Sequence, residues 1–234
     1  MEIFWRLFLS HLIADFTLQT NWINEMKRKS IKGVFIHVLI HFIVTYIILM
    51  PYLGSVWFKI GNFKLNGYFM VFIICIIHLS VDHLRVYIIN NKIYDDNTLS
   101  FLFDQFLHFY FIYIFTPFTE SISSFGGEKI IMLSTFFVLI THTTTVFIYY
   151  VEKDLKNLPF PSFDQKYFMM FERFVIWAFF LMKGWGWIFF LILWIVQLFY
   201  IKSKRIFDIT NINLYLSIII SIIFGFITRY YYYL

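Results

Sequence analysis

Four stretches of the sequence each carry a pair of reactive side chains four residues apart: His11 and Asp15, His37 and His41, His78 and Asp82, Asp104 and His108. On an α-helix, positions i and i+4 share one face, one turn apart. That spacing lets two side chains hold one metal ion, as the paired histidines of zinc proteases do. Seven His and eight Asp in 234 residues would give roughly one such pair by chance, counted against the template. Four pairs in four separate apolar stretches call for a common explanation.

Depth supplies one. Call the end bearing Lys27, Arg28, Lys29 and Lys32 the inner end. Counted from it, Asp15, His37, Asp82 and Asp104 lie roughly five to eight residues in, and His11, His41, His78 and His108 roughly nine to twelve. The pairs therefore form two adjacent layers, about 8–18 Å from the inner helix ends. Ionisable groups at such depth are costly and mark function. A bound cation offsets the cost, and imidazole with carboxylate suits Zn²⁺ first, with Mn²⁺ or Fe²⁺ as alternatives. Eight ligands exceed one tetrahedral ion. They suit two ions, or one ion with Asp side chains orienting His. The plainer alternative is a His–Asp hydrogen-bond network that holds the helices together.

Other polar residues have weaker claims. Gln19 continues the His11–Asp15 face by a turn, and Gln105 adjoins Asp104. Arg85 follows Asp82 by three residues and could hold a phosphate or carboxylate, or reach to the headgroups. Glu172-Arg173 could cap the site from below or pair at the surface. His83 points about 100° from Asp82 and is not expected to bind. His142, among Thr141 and Thr143–Thr145, reads as a structural histidine. Lys27, Arg28 and Lys29 read as topology determinants. Trp185 and Trp187, beside Gly184 and Gly186, read as interfacial anchors or helix-packing residues, and Cys75 as packing.

The elements that must carry these residues are membrane helices. The chain is 60% hydrophobic and 24% aromatic, with only 14% charged residues, against about a quarter in soluble domains. This excludes an ordinary cytosolic enzyme, a disordered chain and a disulfide-stapled domain. The +5 net charge falls in short stretches between apolar segments, so membrane lipid is the expected partner and nucleic acid is not. Candidate spans lie near 3–20, 31–50, 67–90, 97–118, 129–150, 174–201 and 212–232. The expected fold is an all-α, polytopic bundle of about six to seven transmembrane helices in one domain, residues 1–234. Residues 1–118 form the His/Asp core and 119–234 the supporting helices. The segments 51–67, 90–97, 116–129 (with Gly126-Gly127) and 151–173 read as loops. Loop 21–32 is placed in the cytoplasm. Lys202, Lys204 and Arg205 look cytoplasmic too, yet counting spans puts them on the other side.

The run His11-Leu12-Ile13-Ala14-Asp15-Phe16-Thr17-Leu18-Gln19-Thr20 resembles the opening of an uncharacterised family of bacterial membrane proteins, domain of unknown function DUF3307. His37-x-x-x-His41, His78-x-x-x-Asp82 and Phe103-Asp104-Gln105-x-x-His108 resemble its later signatures, and Glu172-Arg173 a motif of its C-terminal part. Lys202-Ser203 followed by Arg205 is a looser match, one residue short in spacing. The resemblance implies a multi-pass protein of the bacterial inner membrane and carries no activity. The layout is also loosely similar to membrane proteins predicted to be metal-dependent hydrolases. The expected chemistry is metal-assisted hydrolysis of a lipid, lipid-linked phosphate or small amphiphile near the cytoplasmic leaflet. Asp15 or Asp104 is the general base and Arg85 the anion holder. A divalent-metal transporter and a di-iron membrane oxidoreductase are the alternatives.

Overall fold

The computed structural model describes residues 1–117 and 127–233. Gly126, read above as part of a loop, lies outside them. Among the described residues, five helical stretches are long and apolar enough to cross a membrane: Ile31–Tyr52, Gly67–Asn90, Glu128–Lys156, Gly186–Ser203 and Asn211–Tyr233. The protein is helical and membrane-compatible, and two of the seven expected spans are shorter than this criterion. The chain divides into two compact units, Met1–Thr135 and Phe136–Leu234.

The first unit begins with α1 (Glu2–Leu12), which widens into a π-helical turn at Ile13–Thr17. There the Leu18 amide donates to the Ile13 carbonyl five residues back. Next come α2 (Asn21–Lys29), α3 (Ile31–Leu49), α4 (Gly67–Asn90) and α5 (Thr98–Ile114). The starts are written in the side chains: Thr20, Ser30, Asn66 and Asn97 each accept from a backbone amide three residues on, satisfying a donor that the helix leaves unpaired. Helix α1 packs on α3 and α5, α3 on α4, and α4 on α5. Leu7, Val34, Met70 and Ile112 belong to the apolar cluster between them.

Two expectations change here. The segment 21–32 is not a solvated loop, because α2 folds back onto α3. Gly33 allows the approach: a Cβ on it would sit 2.1 Å from the backbone of Met26. The segment 51–67 is not plain loop either. It holds an antiparallel hairpin of β1 (Val56–Ile60) and β2 (Phe63–Asn66), so the fold is not strictly all-α. A Gly-Asn pair turns the hairpin, and the Trp57 indole N–H, donating to the Tyr52 carbonyl at 3.0 Å, ties it to the core.

Helix α6 (Glu128–Val138) begins in the first unit and ends in the second, running through a π-helical turn, Leu139–Thr143, into α7 (Thr144–Lys156). Then follow α8 (Phe163–Phe179), α9 (Gly186–Ser203) and α10 (Asn211–Tyr233). The expected single span 174–201 is two helices. Gly184, at φ 70°, takes a left-handed conformation that a side chain disfavours, and the chain reverses. Trp194 meets Glu172 while Phe190 stacks on Phe179, so α8 and α9 run antiparallel. Phe207 then stacks on Phe168, ring centroids 4.1 Å apart, and Thr210 donates to Glu152. The reversal puts the Lys202–Arg205 stretch at the same end of the unit as residues 152–168.

The tight seat of α2 yields a prediction. Gly33→Ala should cost about 1–3 kcal/mol, the range for overpacking, because the new methyl group meets backbone that cannot rotate away. A lower thermal unfolding midpoint in detergent is the expected readout.

Candidate metal centre

Helices α1 to α5 deliver polar side chains to one buried point. His11 comes from the last turn of α1 and Asp15 from the π-helical turn after it. His37 and His41 come from α3, His78 and Asp82 from α4, and Asp104, Gln105 and His108 from α5. The side chains of the four i,i+4 pairs are all at most 7% exposed. The helical period accounts for three pairs. Asp15 reaches further than it predicts, because the widened turn aims it across the bundle.

The carboxylates sit among histidine Nε2 atoms. Asp15 Oδ1 lies 2.8 Å from His41 Nε2 and 3.0 Å from His37 Nε2. Asp82 Oδ2 lies 3.3 Å from His37 Nε2 and 3.4 Å from His78 Nε2. His108 Nε2 lies 3.5 Å from Asp82 Oδ1 and 3.6 Å from Asp104 Oδ1. Gln105 ties the layers together. Its amide nitrogen donates to Asp15 Oδ2 at 3.2 Å and Asp104 Oδ2 at 3.1 Å, and its oxygen lies 3.3 Å from His11 Nε2.

Two groups of these buried side chains could hold a metal ion, with ligand atoms all within 4.8 Å of one another: Asp15, His37, His41 and His78, and then His78, Asp82 and His108. They differ in what they do without one. In the first group the short contacts to Asp15 suit hydrogen bonds. In the second, His108 Nε2, both oxygens of Asp82 and the nearby Asp104 Oδ1 are buried without a hydrogen-bond partner, Asp82 Oδ2 having the Lys27 ammonium beside it, whereas in the first only His37 Nδ1 is. Buried polar atoms normally find partners, and an orphan calls for a reason such as an ion. The spacing suggests that reason. Ligands about 2.0–2.1 Å from a tetrahedral zinc stand about 3.3–3.4 Å apart, close to the separations around His108.

Charge points the same way. Asp15, Asp82 and Asp104 bring three negative charges. Two cations answer them: Lys27 from α2, with Nζ 2.7 Å from Asp82 Oδ2, and Arg85, which reaches Asp104 at 3.3 Å and Asp96 at 3.1 Å. Arg28 takes the other Asp96 oxygen at 2.7 Å, so that outer pair balances itself. One net negative charge is left for a cation while the histidines are neutral. Burial opposes the Lys27 charge, but Asp82, Asp15 and Asp104 outweigh it and hold the ammonium above the ordinary lysine value.

Lys27 is the residue that the sequence reading missed, taken there as a topology determinant. The signal was available: α2 places it one turn after Ile23, and both face inward. Gln19 lies beyond the end of the widened turn and does not continue the helix face. Glu172 and Arg173 find their partners in the second unit. The Trp194 N–H donates to Glu172 at 2.6 Å. Arg173 donates to the Ile140 and Thr141 carbonyls and to the Ser217 and Thr145 hydroxyls. His142 sits in the π-helical turn, 3.1 Å from the Thr141 hydroxyl.

On the histidine side the centre adjoins a cavity of about 30 Å³. That is room for one or two waters. Its walls are polar at Ser10, Thr45 and His78 and apolar at Ile74, Ile77 and Phe111.

A family model described as a protein of unknown function (DUF3307) matches residues 3–131, the stretch that carries the whole centre. No curated protein and no solved structure matches the chain.

His78 lies in both groups and His11 in neither, so the two should separate by metal affinity. His78→Ala should weaken zinc binding by more than about 100-fold. His11→Ala should stay within the roughly 10–100-fold range of an outer partner. Calorimetric titration of the detergent-solubilised protein reads both.

Proposed function

The chain belongs to the DUF3307 family, whose description carries no activity, and from the site itself we propose a membrane-embedded, metal-dependent hydrolase. The carrying observation is the set of orphaned atoms at His108, Asp82 and Asp104. With His78 they offer two imidazoles and a carboxylate to one ion, and a second carboxylate stands beside it. Three protein ligands and an open position are the usual composition of a catalytic zinc site. A divalent ion held there lowers the pKa of a bound water to about 7.

The surrounding residues have roles to match. Arg85 and Gln105 both hold Asp104 Oδ2. Asp104 Oδ1 is thereby left facing His108, placed to take a proton from the attacking water. Asp15 is engaged on both oxygens by His37, His41 and Gln105, which favours Asp104 over Asp15 as the general base. Arg85, held by two carboxylates, serves to position Asp104 in this reading. Charge balance agrees, because one divalent ion with a hydroxide cancels the net negative charge. The substrate class is an ester or phosphoester of a lipid or other amphiphile reaching the centre from the cytoplasmic leaflet of a bacterial inner membrane.

Iron-dependent oxidation is the second reading. Two histidines and one carboxylate are also the ligand set of non-haem iron(II) oxygenases, and the cavity has one apolar wall. Transport fits less well, since conduction needs weak, leavable sites and the inner side of the cluster is closed by Lys27.

Elemental analysis of protein purified in mild detergent without chelator, paired with hydrolysis of a short-chain lipid phosphate and of a p-nitrophenyl ester, tests the proposal. Zinc or manganese is expected. Asp104→Asn should keep the metal and lose about 10²–10⁴-fold in rate, the share of a general base. Iron with no hydrolysis moves the assignment to oxidation. Protein that stays metal-free after reconstitution overturns both.

A further inference from the structure

Lys27 is not a bystander to the metal chemistry. A buried ammonium 2.7 Å from a carboxylate oxygen does what a metal ion at that oxygen would do, and only one of the two can be there. The Lys27 ammonium sits at Asp82 Oδ2, while Asp82 Oδ1 meets His108 Nε2 instead, 3.5 Å away; the Lys27 ion pair apart, neither oxygen has a hydrogen-bond partner. The two oxygens of one carboxylate thus face two different cation positions.

The histidines divide in the same way. His78 belongs to both candidate groups, but its Nε2 has a single lone pair and serves one ion at a time. With His78 assigned to the ion at His108, the other group keeps Asp15, His37 and His41. Asp82 Oδ2, 3.3 Å from His37 Nε2, completes it as a fourth ligand. Two ions bridged by one carboxylate, about 3.5–4 Å apart, form a common hydrolytic arrangement. The first unit contains the ligands for both positions, and Lys27 sits on the shared oxygen.

We infer that Lys27 is a tethered cation that blocks a second divalent-metal position, formed by Asp15, His37, His41 and Asp82 Oδ2, and so makes a two-ion ligand set a one-ion centre. Its placement is built in rather than incidental. Helix α2 seats against α3 through the close approach at Gly33. It is fastened at its end by the Arg28–Asp96 ion pair and by the Asn90 side-chain amide donating to the Arg28 carbonyl at 2.9 Å. The ammonium is therefore held at Asp82 by a docked helix and does not depend on a free side chain finding its way there.

The inference rests on the metal reading above, and the test separates the two. Zinc per chain is measured by elemental analysis after loading with excess zinc and desalting. Wild type, Lys27→Arg, Lys27→Gln and Lys27→Met are compared, each checked for a cooperative thermal transition. Gln keeps a donor for Asp82 without the charge, which guards against a folding failure of the Met variant. Wild type and Lys27→Arg should hold one ion, and the two neutral variants two, a twofold rise. One ion in wild type and one or none in a folded Lys27→Gln would overturn the inference while leaving the metal centre standing, with Lys27 then a residue that positions Asp82. Two ions in wild type would also overturn it. No zinc in any of the four would overturn the metal reading and this inference together.

Discussion

Three carboxylates inside an apolar helix bundle dominate the first unit. Removing a single carboxylate from water costs several kcal/mol even after the surroundings relax, unless it is paired and hydrogen-bonded. Several side chains there answer that cost. Gln105 donates from its amide nitrogen to two of them, Arg85 turns inward to Asp104, and α2 folds back to deliver Lys27. What is still unanswered, at Asp82 Oδ1, Asp104 Oδ1 and His108 Nε2, is where an ion could be held.

The second unit meets the same problem differently. Arg173 is 1% exposed, and all its partners recorded here are neutral oxygens. Two are carbonyls of the π-helical turn at Leu139–Thr143, where the widened backbone turns acceptors toward the guanidinium. No carboxylate is needed, because five fixed donors can be met by carbonyls and hydroxyls alone. One unit gathers negative charge beyond what its side chains neutralise, and the other solvates a positive charge with backbone.

Much of this was legible in the sequence. The four pairs declare themselves because helix period is read directly from spacing, and membrane character follows from composition. What escaped did so for physical reasons. Lys27 lies in a run whose average polarity resembles a solvated loop, and only the fold-back of α2 takes it out of water. The hairpin was announced by Ile60-Gly61-Asn62-Phe63, a two-residue turn between apolar runs, but was masked by glycines read as breakers. The reversal at Gly184 is hidden because the turn is short, Lys183 to Gly186, and long apolar runs stand on both sides of it (174–182 and 187–196), so averaged hydropathy continues where the backbone does not. The widening at Ile13–Thr17 leaves no trace in residue type.

That widened turn has a consequence for how the N-terminal helix can vary. A π-helical turn accommodates one residue more than the α-helical ladder around it. Removing a residue between Ile13 and Thr17 would let the regular ladder close with the rest of α1 nearly in its present phase. His11, Leu7 and the buried Glu2–Arg6 pair would keep their faces. Asp15 is the side chain that would lose its aim, because it sits inside the turn. A deletion within α1 itself has no such slack and would rotate everything before it by about 100°, so the widened turn is a place where this helix can change length without changing register.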